Sequence, residues 1–245
     1  MAKGVFIVGT DTDVGKTVVT AGLMHLLRSN GYNATYFKAA LSGAFEVDNE
    51  LIPGDTLIAC DVSNLKEAYE NITPYVYKSP VSPHLAAKIE NNPIKIEVIR
   101  EKYEYLKEKY DYIIAEGSGG IVCPLIDDKR GLYTLENLIK DLNMSVVIVA
   151  RAGVGTINHT VLTVKYIGAL GINIKGIIIN NYIDNIICND NIKMIEKLTK
   201  VPIIGRLKHI ENLKDNMLQA IRMHAEKAFD LKTIEECLDQ LLSEG

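Results

Sequence analysis

Gly9-Thr10-Asp11-Thr12-Asp13-Val14-Gly15-Lys16-Thr17 sets two glycines around a polar turn and ends it on a lysine and a threonine. In such a turn the backbone N–H groups point at phosphate oxygens. The helix start adds positive potential, the lysine brings an ammonium, and the threonine hydroxyl reaches a Mg²⁺. Handling ATP or a related nucleotide is the chemistry this pattern supports, with Asp13, Val14, Gly15, Lys16 and Thr17 holding the phosphates. The usual spacing puts four residues between the glycines. Here five separate Gly9 from Gly15, and Thr10 stands in the first glycine's place. A plain glycine turn is the alternative, but it has no need of the Lys-Thr pair.

Further polar residues recur at points where apolar runs stop. Lys38, followed by Ala39-Ala40-Leu41-Ser42-Gly43, offers a long cation and a hydroxyl near a glycine turn, which suits a transition state spreading charge over phosphoryl oxygens. A solvated lysine at a strand end is the plainer reading. Asp55, in Pro53-Gly54-Asp55-Thr56, reads first as a helix cap when taken alone. Glu116 closes the apolar Ile113-Ile114-Ala115 and precedes Gly117-Ser118-Gly119-Gly120; a carboxylate in that setting needs a partner for its charge, and Mg²⁺ is one, with capping of the next segment as the alternative. Gly153-Val154-Gly155-Thr156-Ile157-Asn158 opens a helix, whose free N–H groups offer a second anion site for a carboxylate substrate or are simply capped. Asn180 and Asn181 end a strand with paired donor and acceptor, as reading an adenine edge requires, although asparagine is also common in turns. His84 and His159 sit at helix starts, where a structural imidazole is the common outcome, and neither is assigned a catalytic role.

The elements that must carry these residues alternate regularly. Gly4 to Val8 reads as a strand and Val18 to Leu27 as a helix, then Ala34 to Lys38 as a second strand. The stretch from Leu41 to Asn71 mixes turns with a brief helical run at Thr56 to Cys60. Helices follow at Ser82 to Glu90 and Ile94 to Lys109, and a buried strand at Tyr112 to Ala115. Beyond it come helix Leu135 to Asp141, strand Ser145 to Ala150, helix Asn158 to Leu170, strand Ile174 to Asn180, helix Asn191 to Leu198 and strand Pro202 to Gly205. Val/Ile runs apolar on both faces, separated by amphipathic helices, predict an α/β fold: a single domain over residues 1–245, with a mostly parallel central sheet covered by helices on both faces. The Asp215 to Leu242 tail reads as helical, packed on the sheet edge or on a partner. Ligands bind such sheets at the carboxyl ends of the strands. The glycine loop, Lys38, Glu116, the Arg151 to Asn158 segment and Asn180-Asn181 all fall there, and one shared crevice is expected.

Composition narrows the function classes. With 47% hydrophobic and 24% charged residues the chain has the balance of a water-soluble globular protein, and its apolar runs are far shorter than the roughly 20 residues of a spanning helix. No membrane partner and a cytoplasmic location are expected. A net charge of −4 supplies no general field for nucleic acid. Cys60, Cys123, Cys188 and Cys237 show neither zinc spacing nor a disulfide framework and read as reduced thiols.

The loop, Lys38 with Ser42-Gly43, Ser82-Pro83-His84, Glu116-Gly117-Ser118-Gly119-Gly120 and Ile157-Asn158-His159-Thr160 occur together in an order that resembles the ATP-dependent dethiobiotin synthetase family, a family of phosphate-loop fold. The likeness runs from the first strand to about Gly205; beyond it Arg206-Leu207-Lys208-His209 stands where the family usually has a proline near the adenine. The resemblance implies ring closure of 7,8-diaminopelargonate with CO₂ and ATP to dethiobiotin, through a carbamate and a carbamic-phosphoric anhydride. It implies that Lys16 and Lys38 neutralise the γ-phosphate and carbamate, that Thr12 and Ser42 hydrogen-bond the reacting groups, and that Thr17, Asp55 and Glu116 hold Mg²⁺. It also implies a homodimer with the substrate at the subunit interface, where Gly155, Thr156, Ile157 and Asn158 of one subunit receive the carboxylate bound mainly to the other. The nearest rival is a partitioning ATPase of similar fold, in which nucleotide switches dimerisation. Those loops carry an additional early lysine, and the matching stretch here reads Asp11-Thr12-Asp13.

Overall fold

The computed structural model describes residues 2–129, 131–210 and 213–241. The amino-terminal apolar run forms β1 (Lys3–Gly9), buried along nearly its whole length, and the glycine loop turns it into α1 (Lys16–Ser29). β2 (Ala34–Phe37) follows, also wholly buried. A layer of short elements then leaves the sheet: β3 (Ala40–Ser42), the hairpin of β4 (Phe45–Val47) and β5 (Glu50–Ile52), α2 (Gly54–Ser63), α3 (Tyr69–Ile72), β6 (Tyr75–Tyr77) and α4 (Pro83–Ile89). The chain returns through α5 (Ile96–Lys109) to β7 (Tyr112–Gly120), makes the hairpin of β8 (Pro124–Asp128) and β9 (Gly131–Thr134), and continues through α6 (Leu135–Asp141), β10 (Val146–Arg151), α7 (Thr156–Ala169), β11 (Ile174–Tyr182), α8 (Ile186–Thr199) and β12 (Ile203–Lys208). α9 (Leu213–Ala228), α10 (Leu231–Glu236) and β13 (Asp239–Gln240) complete it.

The main sheet runs β12-β11-β10-β1-β7-β2, every neighbour parallel. Strands this thoroughly buried need cover on both faces, which α1, α5 and α7 help to supply as crossovers. The connection from β1 crosses β7 to reach β2, while that from its neighbour β10 runs outward to β11, so the two diverge and open a crevice above the carboxyl ends of β1 and β10, the place where open α/β sheets bind ligands. β1 meets β10 only from Phe6 onward; ahead of that, Lys3 and Gly4 pair antiparallel with β13. The tail expected to be helical is thus two helices and a strand. α9 lies on α1, where Gly22 is needed: a Cβ there would sit 2.9 Å from Ala225 Cβ.

Several boundaries move for local reasons. β7 continues through the glycines to Gly120, because Gly9 and Gly120 still pair across the sheet. α7 begins at Thr156, where Gly155 at φ 88° lets the chain turn into the helix. The stretch from Leu41 to Asn71 holds more order than turns and one short helix. Asp48 and Asn49 both take positive φ in a two-residue hairpin turn, a conformation asparagine and aspartate tolerate.

Candidate active site

The glycine loop closes tightly over its own side chains. Lys16, buried at the head of α1, curls back so that Nζ donates to the Asp11 carbonyl at 3.2 Å. Gly15 adopts φ 89°, and a Cβ there would lie 1.9 Å from Asn180 Nδ2, so glycine is required twice over, by conformation and by space. Val14 is buried under the loop, and its carbonyl accepts from Asn180 Nδ2 at 2.9 Å. On the exposed side the Arg151 guanidinium donates to the Asp13 carbonyl at 2.5 Å. Asn180 and Arg151, from β11 and the end of β10, therefore hold the loop from two sides.

Beside the loop the charged residues predicted from sequence converge. β2 ends at Phe37, and the Lys38 backbone N–H donates to the Ile72 carbonyl at 2.8 Å, which directs its buried side chain inward. Lys38 Nζ lies 2.9 Å from Glu116 Oε1 and 2.5 Å from Asp55 Oδ2. Thr17 Oγ1 donates to the same Glu116 Oε1 at 2.9 Å, while the Tyr36 phenol donates to Oε2 at 3.2 Å. Asp55 is the second residue of α2 and makes no cap; its carboxylate is spent on Lys38 instead. Glu116 likewise caps nothing. The pairing shifts the titration of both Lys38 and Asp55. Burial alone would lower the Lys38 pKa, but the charges of Glu116 and then Asp55 outweigh it and raise it above the usual lysine range. Burial would raise the Asp55 pKa, and Lys38 outweighs that in turn and lowers it. Lys16 is lowered, chiefly by burial, with Lys38 adding to the effect and Glu116 opposing it. Lys38 is therefore held as an ammonium between the two carboxylates.

These side chains wall a cavity of about 410 Å³ with Thr12, Asp13, Gly15, Lys16, Thr17, Leu41, Ser42, Ser118 and Gly119. Ser118 Oγ donates to the Ala40 carbonyl at 2.5 Å and so joins the end of β7 to β3. Gly119, at φ 68°, lets the chain pass close to Thr12: a Cβ there would stand 3.7 Å from Thr12 Oγ1. Gly117 lies outside this wall and is a packing residue, since a Cβ on it would meet Leu135 Cδ2 at 2.7 Å. Two carboxylates and a threonine hydroxyl form a hard-oxygen set, and the ammonium already seated between Asp55 and Glu116 marks a place that favours a cation. Among the described residues no three His, Cys, Asp or Glu side chains gather to hold a metal unaided. Mg²⁺ needs no such cage when substrate phosphates and water complete its shell, so the residues present fit it.

The single crevice expected from sequence is divided. Arg151, Val154, Gly155, Thr156 and His159 wall a separate cavity of about 140 Å³ on the other side of the loop, with Thr10, Asp11 and Val14. Thr156 Oγ1 bonds back to the Arg151 carbonyl at 2.5 Å, while Ile157 is half-buried and Asn158 stands exposed, outside both cavities. Asn180 has its amide committed to the loop; Asn181, exposed at φ 54°, lies 3.4 Å from His209 Nδ1 through its Oδ1. Sequence reasoning missed Tyr36, reading Ala34 to Lys38 only as a second strand. The signal was present, since a tyrosine in a fully buried strand must find a partner for its hydroxyl.

Residues 3–217 match the family described as AAA domain. Solved structures of similar architecture are the MinC:MinD cell division complex of Aquifex aeolicus (TM-score 0.56, 18% identity, 92% of this chain and 95% of that one) and MinD complexed with Mg-ADP from Pyrococcus horikoshii (0.56, 17%, 96% of each). At that identity they speak for the fold alone. Sequence relatives are closer. The ATP-dependent dethiobiotin synthetase BioD of Clostridium kluyveri is 69% identical over 98% of this chain and 100% of its own length, and that of Clostridium acetobutylicum 51% over 91% and 93%. Identity of this extent over nearly the full length of both chains shows that the chain belongs to the family of ATP-dependent dethiobiotin synthetases.

Proposed function

We propose that this ligase closes the ring of 7,8-diaminopelargonate (7,8-diaminononanoate) with CO₂ and ATP, releasing dethiobiotin, ADP and phosphate in biotin biosynthesis, with residues 1–245 as one catalytic unit. The observation that carries the site assignment is the Lys38–Glu116–Asp55–Thr17 cluster set against the glycine loop. One amine of the substrate captures CO₂ as a carbamate. The carbamate oxygen attacks the γ-phosphorus and ADP leaves; the second amine then attacks the carbonyl carbon of the carbamic-phosphoric anhydride, expelling phosphate and closing the cyclic urea.

Neither step needs a protein nucleophile. Phosphoryl transfer runs on positioning and charge neutralisation, which suits a site rich in ammonium, hydroxyl and N–H groups. The loop N–H groups and Lys16 take the phosphates, Thr12 and Ser42 hydrogen-bond the reacting groups, and Lys38 leaves its carboxylate partners to lie between carbamate and γ-phosphate. Thr17, Asp55 and Glu116 would hold Mg²⁺, which supplies charge neutralisation on the phosphate oxygens. We further propose a homodimer in which the α7 start of one subunit, Gly155 to Asn158, receives the substrate carboxylate lying mainly on the other. The exposure of Asn158, outside both cavities of its own chain, supports this arrangement. Asn180 and Asn181 border the nucleotide through the loop and the β11 end. Among the described residues no helix is long and apolar enough to cross a membrane, and a cytoplasmic enzyme of small metabolites, without nucleic-acid or membrane partners, goes with this reading.

The test is ADP release measured with both co-substrates and with each left out. Release that requires diamine and bicarbonate together supports the assignment. Nucleotide hydrolysis indifferent to both overturns it.

A further inference from the structure

Tyr36 is out of character with its strand. β2 is buried from end to end, yet Tyr36, fully buried itself, carries a hydroxyl into that interior. Register explains where the hydroxyl goes. Tyr36 lies opposite Ile114 in the parallel pairing of β2 with β7, so Glu116 is its diagonal neighbour on the same face, and the phenol donates to Oε2 at 3.2 Å. The two oxygens of Glu116 are therefore treated differently. Oε1 receives Thr17 and Lys38, the two groups that nucleotide and metal draw away in the function proposed above, whereas Oε2 is held by a donor anchored in the sheet.

We propose that Tyr36 is a positioning residue for the metal-binding carboxylate. Its hydrogen bond fixes the rotation of Glu116, keeping Oε1 aimed at Thr17 while the Thr17 and Lys38 contacts are exchanged for the incoming ion. Partners behind a ligand orient it and raise its effective affinity for the metal. This inference rests on Glu116 as a Mg²⁺ ligand, and its test separates the two. A phenol serving only to fill the core would make the same bond but would leave metal binding indifferent to its loss.

The experiment is calorimetric titration of ADP into the full-length protein, with Mg²⁺ and with EDTA, for wild type, Tyr36→Phe, Glu116→Gln and the double variant. The quantity read is the fold tightening of ADP that Mg²⁺ brings. Tyr36→Phe is expected to leave metal-free ADP affinity within about twofold and to cut that tightening roughly tenfold. In the Glu116→Gln background it is expected to change nothing further, because the carboxylate it positions is gone. Tyr36→Met, which keeps apolar bulk without a donor, repeats the test should the phenylalanine variant fold poorly. Unchanged Mg²⁺ tightening in Tyr36→Phe alongside its loss in Glu116→Gln overturns the positioning role and leaves the metal assignment standing. Undiminished tightening in Glu116→Gln removes the metal assignment and this inference with it. Parallel loss of metal-free and metal-bound affinity in both Tyr36 variants makes the residue structural and likewise overturns the proposal.

Discussion

At the scale of single residues the candidate site is built on two ion pairs that share the Lys38 ammonium. A buried ammonium between two carboxylates is strongly coupled, and removing one partner leaves the others uncompensated. Lys38→Ala is therefore expected to show two effects that come from one cause. Turnover should fall on the order of 10²–10³-fold, the usual loss for one charge-stabilising donor, with ATP affinity changed far less because the loop and Lys16 remain. The metal-free protein should also melt several degrees lower, since Asp55 and Glu116 then face each other, and added Mg²⁺ should recover part of that loss. Steady-state kinetics and melting with and without Mg²⁺ check both; unchanged turnover ends the catalytic role of Lys38. Glu116→Gln should raise the Mg²⁺ concentration needed for half-maximal rate about tenfold or more, and an unaltered metal titration counts against Glu116 as ligand. Most of this cluster was legible because its members are of charged type at points where apolar runs stop. Tyr36 was not, and of Arg151 only its place at the sheet edge was, not its hold on the loop. One hides in a strand pattern, and the other contacts a backbone carbonyl 138 positions away, which no local pattern encodes.

Among the elements, the parallel strands and their helices were readable from Val/Ile runs and helical spacing, and the shifts at their ends arise from backbone pairing that side-chain type does not report. The accessory layer between β3 and α5 was harder, because its strands are three residues long and leave no periodicity to detect. That layer is pinned by Glu67, in the loop between α2 and α3. Its carboxylate accepts from Asn71 at 2.9 Å and from the Tyr110 hydroxyl at 2.8 Å, and lies 2.8 Å from the Lys109 ammonium at the end of α5. Burial would raise its pKa, but these donors, Lys109 first, bring it from the ordinary 4.5 down to about 2. A depressed carboxylate stabilises the fold above its unfolded pKa and loses that contribution as pH falls toward the folded one. With allowance for solvent screening at the half-exposed Lys109, the contribution is on the order of 1–2 kcal/mol. Glu67→Gln should therefore be less stable than wild type by about that amount at pH 7, and the gap should close between about pH 4.5 and pH 2. Urea unfolding of both proteins across that range measures it. A gap that widens as the solution becomes more acid contradicts the assignment.

For the whole molecule, the sequence pattern predicted one mostly parallel sheet with chemistry at its carboxyl edge, and the fold has that form; what was not legible is closure at the opposite edge. β13 is two residues long and pairs through its backbone, while Asp239 takes Lys175 at 2.5 Å and the Ser145 hydroxyl, contacts between residues far apart in the chain. The division of the crevice was equally invisible, and it bears on assembly. Within one chain the Lys38 cavity and the α7 start lie on different sides of the glycine loop, so a substrate spanning from the γ-phosphate to Asn158 is better served by two chains than by one. This has a consequence that single variants cannot show. Lys38→Ala should disable turnover at the site to which that lysine belongs, whereas Asn158→Ala should chiefly raise the diamine KM and disable the carboxylate half. In a mixed dimer of the two, one site carries both defects, and the other takes Lys38 from one subunit and Asn158 from its partner, both intact. Random assortment at equal amounts makes half the dimers mixed, with one whole site in two, so co-expressed chains should recover about a quarter of wild-type activity when assayed at a diamine level where each parent is nearly inactive. Separately purified parents, mixed without subunit exchange, should recover none. If the co-expressed pair stays at the average of its parents, each site is built within one chain and the shared interface is wrong.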